Sequence, residues 1–297
     1  MTIVMTGATG GIGLEAARRL IADPGVRLIV GARTPNRLAG PLRGRAEALP
    51  LDLASLASVR AFAAEAAAGD PIDVLILNAG IQNVTDATSA DGFELSFAVN
   101  HLAHYLLVRL LLPRMAPDGR IILTASGTHD PAEKTGIPPP RHIDAAKLAW
   151  PRQDPDLDRR RIVRGQRAYS TSKLANVMTA RELARRTEAS HPNLSILAFD
   201  PGFTPGTGLA RDYPGPSGLI FRFLLPLLVR RTDRVSTPEN SGRLLAELAA
   251  DPGHAGLRGR YMAVRRQQVV DVPPSAVAHD ADLAERLWDN SAGLVGL

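Results

Sequence analysis

Tyr169 and Lys173, in the stretch "AYSTSK", combine residue types and spacing that suit proton transfer. A free phenol has a pKa of about 10 and is a poor acid–base catalyst near neutrality. Four residues apart on a helix, the two side chains share a face, about 6 Å apart along the axis. A neighbouring ammonium favours the phenolate, and a positively charged nicotinamide would do the same. Lowering the phenol by about 3 units, each about 1.4 kcal/mol, brings it to where general acid–base catalysis is most efficient. Ser126, in "TAS", is placed to hydrogen-bond a substrate oxygen. Asn100, in "FAVNHLAHY", is placed to hold a water that relays protons to Lys173.

A second group of residues provides a cofactor cradle. "TGATGGIG" (Thr6 to Gly13) follows a strand-like "TIVM" and opens a helix, with Gly7, Gly11 and Gly13 spaced through the turn. Glycine permits a tight turn and a close backbone approach to a pyrophosphate, which then rests on the helix N-terminus. At the end of the second strand, "VGARTPNR" carries Arg33 and Arg37 and no acid. A carboxylate there would bind a ribose 2′-hydroxyl, whereas a guanidinium matches a 2′-phosphate bidentately. The reading is NADP(H). Asp52, in "LDL", is placed to accept the adenine amino group, and "NAG" (Asn78, Ala79, Gly80) lets backbone pass close to the adenosine ribose.

Alternating strands and helices must position these groups. Strands are expected at "TIVMTG", "VRLIVGAR", "ALPLDL", "IDVLILNAG", "GRIILTAS" and "LSILAFDPG", and helices at 11–22, 55–68, 91–112 and 166–187. Near-continuous apolar strands separated by helices imply an α/β fold, a doubly wound parallel sheet with helices on both faces. Ligands of such sheets bind at the carboxyl ends of the strands. A Pro- and charge-rich insert spans about 127–164, and Gly/Pro-punctuated "LIFRFLLPLLV" within about 203–237 reads as an apolar lid. Without an internal repeat or linker, residues 1–297 form a single expected domain.

The chain has 297 residues, 45% hydrophobic and 22% charged, with a formal net charge of +5. That is an ordinary globular composition. The longest apolar run, Gly218 to Val229, is short and broken by Arg222 and Pro226, and no basic leader is expected before the first strand. The absence of cysteine excludes disulfides, thiolate metal sites and a Cys nucleophile, and it fits a cytoplasmic location. Basic runs at Asp158 to Arg167 and Val229 to Arg231 carry no aromatics or nucleic-acid motif, so nucleic acid is not an expected partner. His101 and His104 lack a nearby acid, and the aspartates at 144, 154, 156 and 158 lack Ca²⁺-loop spacing, so no metal site is expected.

Together, "TGATGGIG", "NAG", Asn100, Ser126, "YSTSK" and "DPG" (Asp200 to Gly202) resemble the short-chain dehydrogenase/reductase family along nearly the whole chain. The resemblance implies a Rossmann-type sheet, nicotinamide hydride transfer, Tyr169 as acid/base, Lys173 on the ribose, and Ser126 and Asn100 in support. It adds Thr9, Ile12, Leu53, Pro201, Gly202 and Thr204, with Tyr169 and Lys173, to the dinucleotide contacts, and makes a homo-oligomer a family expectation. "AYSTSKLANVMTARELARR", "STPENSGRLLAELAADPG" and the closing "DADLAERLWDNSAGLVGL" look like light-dependent protochlorophyllide oxidoreductases. Retinol-dehydrogenase-like members share the arginine after the second strand and His129. Where the photoenzymes carry a cysteine after the Pro–Gly pair, this chain has Phe203.

The expected activity is NADPH-dependent interconversion of a carbonyl and an alcohol on a bulky apolar molecule. Its rivals are C=C reduction, a non-catalytic dinucleotide sensor, and an enzyme using its lid as an interfacial membrane helix.

Overall fold

The computed structural model describes residues 1–38, 40–205 and 233–297. The apolar stretch of the expected lid, the Val229 to Arg231 basic run and the side chain of Arg37 lie outside the described residues. An 8-stranded sheet has the order β3-β2-β1-β4-β5-β6-β7-β8. Its strands are β1 (Thr2–Thr6), β2 (Arg27–Ala32), β3 (Ala46–Pro50), β4 (Ile72–Leu77), β5 (Met115–Thr124), β6 (Ser195–Asp200), β7 (Arg258–Arg265) and β8 (Gln268–Asp271). All pairings are parallel except β7 with β8. The central strands are buried on both faces, as their unbroken apolar sequences require. The chain runs outward from β1 through β2 to β3 and returns to β4 on the other side. The switch point, where ligands bind in such sheets, therefore falls between β1 and β4.

Two apolar clusters cover the two faces. One packs α1 (Gly11–Leu20) and α6 (Pro238–Ala250) against residues such as Ile3, Met5, Val30, Ile76 and Phe199. The other gathers α2 (Leu56–Ala66), α3 (Leu95–Arg114), α5 (Arg161–Arg186) and α7 (Ala281–Val295). Ser55 caps α2 by accepting the Ser58 N–H, as the sequence boundary suggests. By length and composition α3 is apolar enough to cross a membrane, with a mean hydropathy of 1.4. Its polar Asn100, His101 and His104 break any continuous apolar run, and the helix is largely buried as a core element against α5 and α7.

Two helix bounds differ from the sequence expectations, and β7, β8, α6 and α7 lie beyond the elements expected from sequence. Helix α3 starts at Leu95, where Glu94 caps it, and contains a π turn over Ala98–Leu102. Helix α5 begins at Arg161, five residues before the expected start at Gln166, although its N-cap, Arg160, makes no side-chain cap bond. Tertiary contacts set that start: Arg164 binds Asp86 at 2.7 Å and Arg167 binds Asp158 at 2.6 Å. Gly165 packs so closely that a Cβ there would lie 2.2 Å from the Asn83 carbonyl oxygen. The insert is ordered rather than periodic. It folds as 3₁₀ turns around α4 (Ala145–Ala149), stapled by Arg141–Asp158 and His142–Asp154.

Helices α1 and α6 cross closely. A Cβ on Gly242 would sit 2.4 Å from the Glu15 Cβ and 2.8 Å from the Ile12 carbonyl oxygen. Gly242→Ala is therefore expected to cost about 1–3 kcal/mol through overpacking. The loss is measured by thermal or urea unfolding, and an unchanged transition would show that the two helices separate freely.

Candidate active site

The glycine turn is shaped by contacts that only glycine allows. Gly7 and Gly11 have φ of +72° and +53°, where side chains are strained. A Cβ on Gly13 would lie 2.0 Å from the Gly7 carbonyl oxygen and 2.6 Å from Asn78 Nδ2. Asn78 Nδ2 donates to that same carbonyl at 3.3 Å, tying the loop after β4 to the loop after β1. Thr6 Oγ1 strengthens the tie by accepting the Asn78 and Ala79 amides at 3.0 and 3.1 Å. The result is a concave backbone cradle at a helix N-terminus, which fits a dinucleotide pyrophosphate. Thr9 is exposed at its rim and lines a cavity of about 170 Å³ with Ala32, Arg33 and Thr34.

Asp52 is exposed just past β3, its Oδ1 accepting the Ala54 amide, with Leu53 half-buried beside it. Beyond β6, Gly202 has φ of +74°, and the Thr204 hydroxyl turns inward to the Pro201 and Gly202 carbonyls.

The helix α5 packs on β5 and on the turn after it, bringing Tyr169 and Lys173 to the carboxyl ends of the sheet. Lys173 Nζ lies 5.6 Å from the Tyr169 ring centroid and donates to the Thr124 carbonyl at 3.0 Å. Asn176 Nδ2 donates to the same oxygen at 3.0 Å. The ammonium is only 3% exposed. Burial pushes its pKa down to about 8, against the opposing pull of Asp200. Gly80 leaves room for it, since a Cβ there would approach Nζ to 3.3 Å and Asn100 Oδ1 to 3.4 Å.

The Asn100 side chain is held by Ile81 and Ser172. Nδ2 donates to the Ile81 carbonyl at 2.8 Å and to Ser172 Oγ at 2.9 Å, while Oδ1 accepts the Ile81 amide at 2.8 Å. The side chain is a rivet between the loop after β4, the π turn and α5.

The two histidines, which the sequence offered only as poor metal ligands, take on hydrogen-bonding roles beside the site. His104 Nε2 pairs with Thr6 Oγ1 at 3.0 Å, and Nδ1 with the Asn100 carbonyl at 3.1 Å. Thr6 already accepts two amides, so its own proton goes to Nε2, and Nδ1–H donates to the carbonyl. Burial holds the His104 pKa down at about 3, with the Lys173 charge adding to the effect. The spacing of His104 one turn after Asn100 was the only available signal. His101 is likewise buried, bonded through Nε2 to Ser291 Oγ at 2.9 Å in α7. Ser126 lies two residues beyond Thr124, its Oγ accepting the Thr128 amide at 3.3 Å.

The depressed Lys173 pKa has a testable sign. Between about 8 and 10.5 the unfolded chain binds this proton more than the folded one, so stability rises with pH across that window. At neutral pH the buried charge is a cost. Lys173→Met is thus expected to stabilise the dinucleotide-free protein at pH 7 by about 1–3 kcal/mol. Urea unfolding should show this advantage shrinking as pH approaches 10.5. A variant less stable than wild type at pH 7 would contradict it.

Comparison with known proteins agrees with this architecture. The profile of the short chain dehydrogenase family matches residues 1–135. Retinol dehydrogenase 13 of Homo sapiens is 34% identical over 312 residues, covering 100% of this chain and 85% of its own. Protochlorophyllide reductase A, chloroplastic, of Oryza sativa subsp. japonica is 32% identical over 317 residues, covering 99% and 80%. A solved structure from Mycobacterium paratuberculosis superposes with a TM-score of 0.74 at 30% identity, covering 99% of this chain and 93% of that one. With this chain matched along its whole length, a glycine turn at the switch point and a doubly wound sheet, the chain belongs to the short-chain dehydrogenase/reductase family of nicotinamide-dinucleotide oxidoreductases.

Proposed function

We propose that this protein is an NADP(H)-dependent oxidoreductase interconverting a carbonyl and an alcohol on a bulky, mostly apolar small molecule. The observation that carries this reading is the Tyr169 ring 5.6 Å from a buried ammonium, on a helix face at the switch-point end of the sheet. When bound, the dinucleotide supplies or takes up the hydride. Gly7, Thr9, Gly11, Ile12 and Gly13 hold its pyrophosphate, Asp52 and Leu53 its adenine, and Asn78 to Gly80 with Lys173 its ribose moieties. Pro201, Gly202 and Thr204 border the nicotinamide end.

The chain's own residues handle the proton. Ser126 accepts an amide at Oγ, which leaves its hydroxyl proton to be donated to the substrate oxygen. Tyr169 gives a proton to that oxygen in reduction and removes one in oxidation. Lys173 favours the phenolate by its charge. Its own pKa of about 8 suits it to pass a proton on near neutral pH. Asn100 keeps the loop after β4 and α5 in register around it.

Arg33 supports NADP(H) over NAD(H), because it borders the cavity beside Thr9 and no carboxylate stands at the end of β2. The names of the relatives, a retinol dehydrogenase and a protochlorophyllide reductase, support a bulky apolar substrate. Phe203 and the absence of any thiol favour carbonyl chemistry over photoreduction of a C=C bond.

Tyr169→Phe is expected to lower turnover by about 10²–10⁴-fold with NADPH binding retained. The assay follows nicotinamide absorbance with all-trans-retinal as the probe aldehyde, and full activity would overturn the mechanism. Arg33→Ala is expected to weaken NADPH by roughly 10- to 100-fold, the loss of charge-assisted bonds, and to leave NADH unaffected. Equal losses for both dinucleotides would reject the phosphate reading.

A further inference from the structure

His129 follows the Ser126 turn and is 1% exposed, facing the C-terminal segment of the chain. Its Nδ1 lies 2.8 Å from the Ser126 carbonyl oxygen, and its Nε2 lies 3.2 Å from the Ser275 amide. A carbonyl only accepts and an amide only donates, so the two bonds require the neutral ring with its proton on Nδ1. The backbone N–H of His129 makes a second bond to the same carbonyl at 3.2 Å. The ring stands edge-on to Tyr261 at 4.9 Å, and the Tyr261 hydroxyl donates to Asp200 Oδ2 at 3.1 Å. Burial opposes a second proton on the ring, outweighing the pull of Asp200, Asp130 and Glu133.

The turn that His129 closes is the 3₁₀ turn Gly127–His129, and Ser126 is its N-cap. The Thr128 amide reaches Ser126 Oγ only while that turn holds its shape. An accepted N–H polarises the hydroxyl and leaves its proton directed elsewhere. The far end of the strut is Ser275, which leads into the turn Ala276–His279.

We propose that His129 is a positioning residue for Ser126. Its Nδ1–H bond to the Ser126 carbonyl holds the serine turn and so presents the hydroxyl as a donor, while the Ser275 amide at Nε2 fixes the ring proton on Nδ1. The inference rests on the role given to Ser126 in the proposed function.

Side-chain amides separate the two bonds. In His129→Asn, Nδ2 replaces the Nδ1–H donor, and in His129→Gln, Oε1 replaces the Nε2 acceptor. Long-range ¹H–¹⁵N spectra of the wild-type ring are expected to show the proton on Nδ1. Amide exchange at Thr128 should stay slow in His129→Asn and rise by about tenfold or more in His129→Gln, the loss of one hydrogen bond. With all-trans-retinal as probe, kcat should follow the same order, falling by about tenfold in His129→Gln with the NADPH KM unchanged. A proton on Nε2 would overturn the proposal, as would two variants alike in both exchange and kcat. The tautomer and the exchange are read without turnover, so they stand or fall separately from the Tyr169→Phe result.

Discussion

The ammonium of Lys173 is taken out of water, and much of its surroundings makes that tolerable. An isolated buried charge costs several kcal/mol. Here one carbonyl oxygen at the end of β5 accepts from it, the Asp200 charge opposes its neutralisation, and an aromatic ring lies at cation–π distance. These compensations are incomplete, because the pKa still falls to about 8. That shortfall is useful chemically: a lysine held near its deprotonation point beside a phenol exchanges protons more readily than a fully solvated one. Stability and activity therefore pull in opposite directions at this residue.

Holding a strained charge in place demands rigid neighbours, and the structure provides them through short polar ties between different elements. Thr6 joins the loops after β1 and β4, and His104 carries that link to the Asn100 carbonyl. Asn100 then ties the loop after β4 to Ser172 in α5. The π turn at Ala98–Leu102 belongs to this set, since π turns recur where a helix must redirect functional groups. The ties are buried or part-buried and made between groups with matching donor and acceptor roles, the condition for a polar network to rigidify a site rather than weaken it. The glycine cradle and the helix that carries Tyr169 and Lys173 are thereby one mechanical unit.

The parts of the fold legible in sequence are those fixed by local physics. Apolar strand runs located β1 to β6, and Ser55 marked the start of α2. The glycine turn was readable because no other residue tolerates its φ angles and contacts. The Tyr169–Lys173 pair was readable because helix spacing alone puts the two on one face. What escaped was set by tertiary contact. The early start of α5 depends on Asp86, far from it in sequence, as well as on nearby Asp158, and in β7 a short buried run, Tyr261 to Val264, sits between arginines. Asn100 was found by its place in the pattern, but the direction of its amide depends on Ile81 and Ser172. His129 was recognised as following the serine strand, while its partner at Ser275 lies 146 residues away.

That division has a physical basis that bears on function. The cradle is built from backbone approaches and single-residue glycine requirements, which leave a sharp imprint on sequence. Around the opposite side of Ser126 the chain is held by ion pairs: Glu133 with Arg265 and Arg234, and Arg265 with Asp200. Arg234 and Phe203 are joined there by a backbone bond of 2.8 Å. Arg265 and Asp200 are largely buried, and removing one partner of such a pair strands the other charge at a cost of about 3–5 kcal/mol. Each of these pairs joins segments far apart in the chain, Glu133 or Asp200 with Arg265, so this side of the molecule leaves a weaker imprint on the sequence than the glycine turn does.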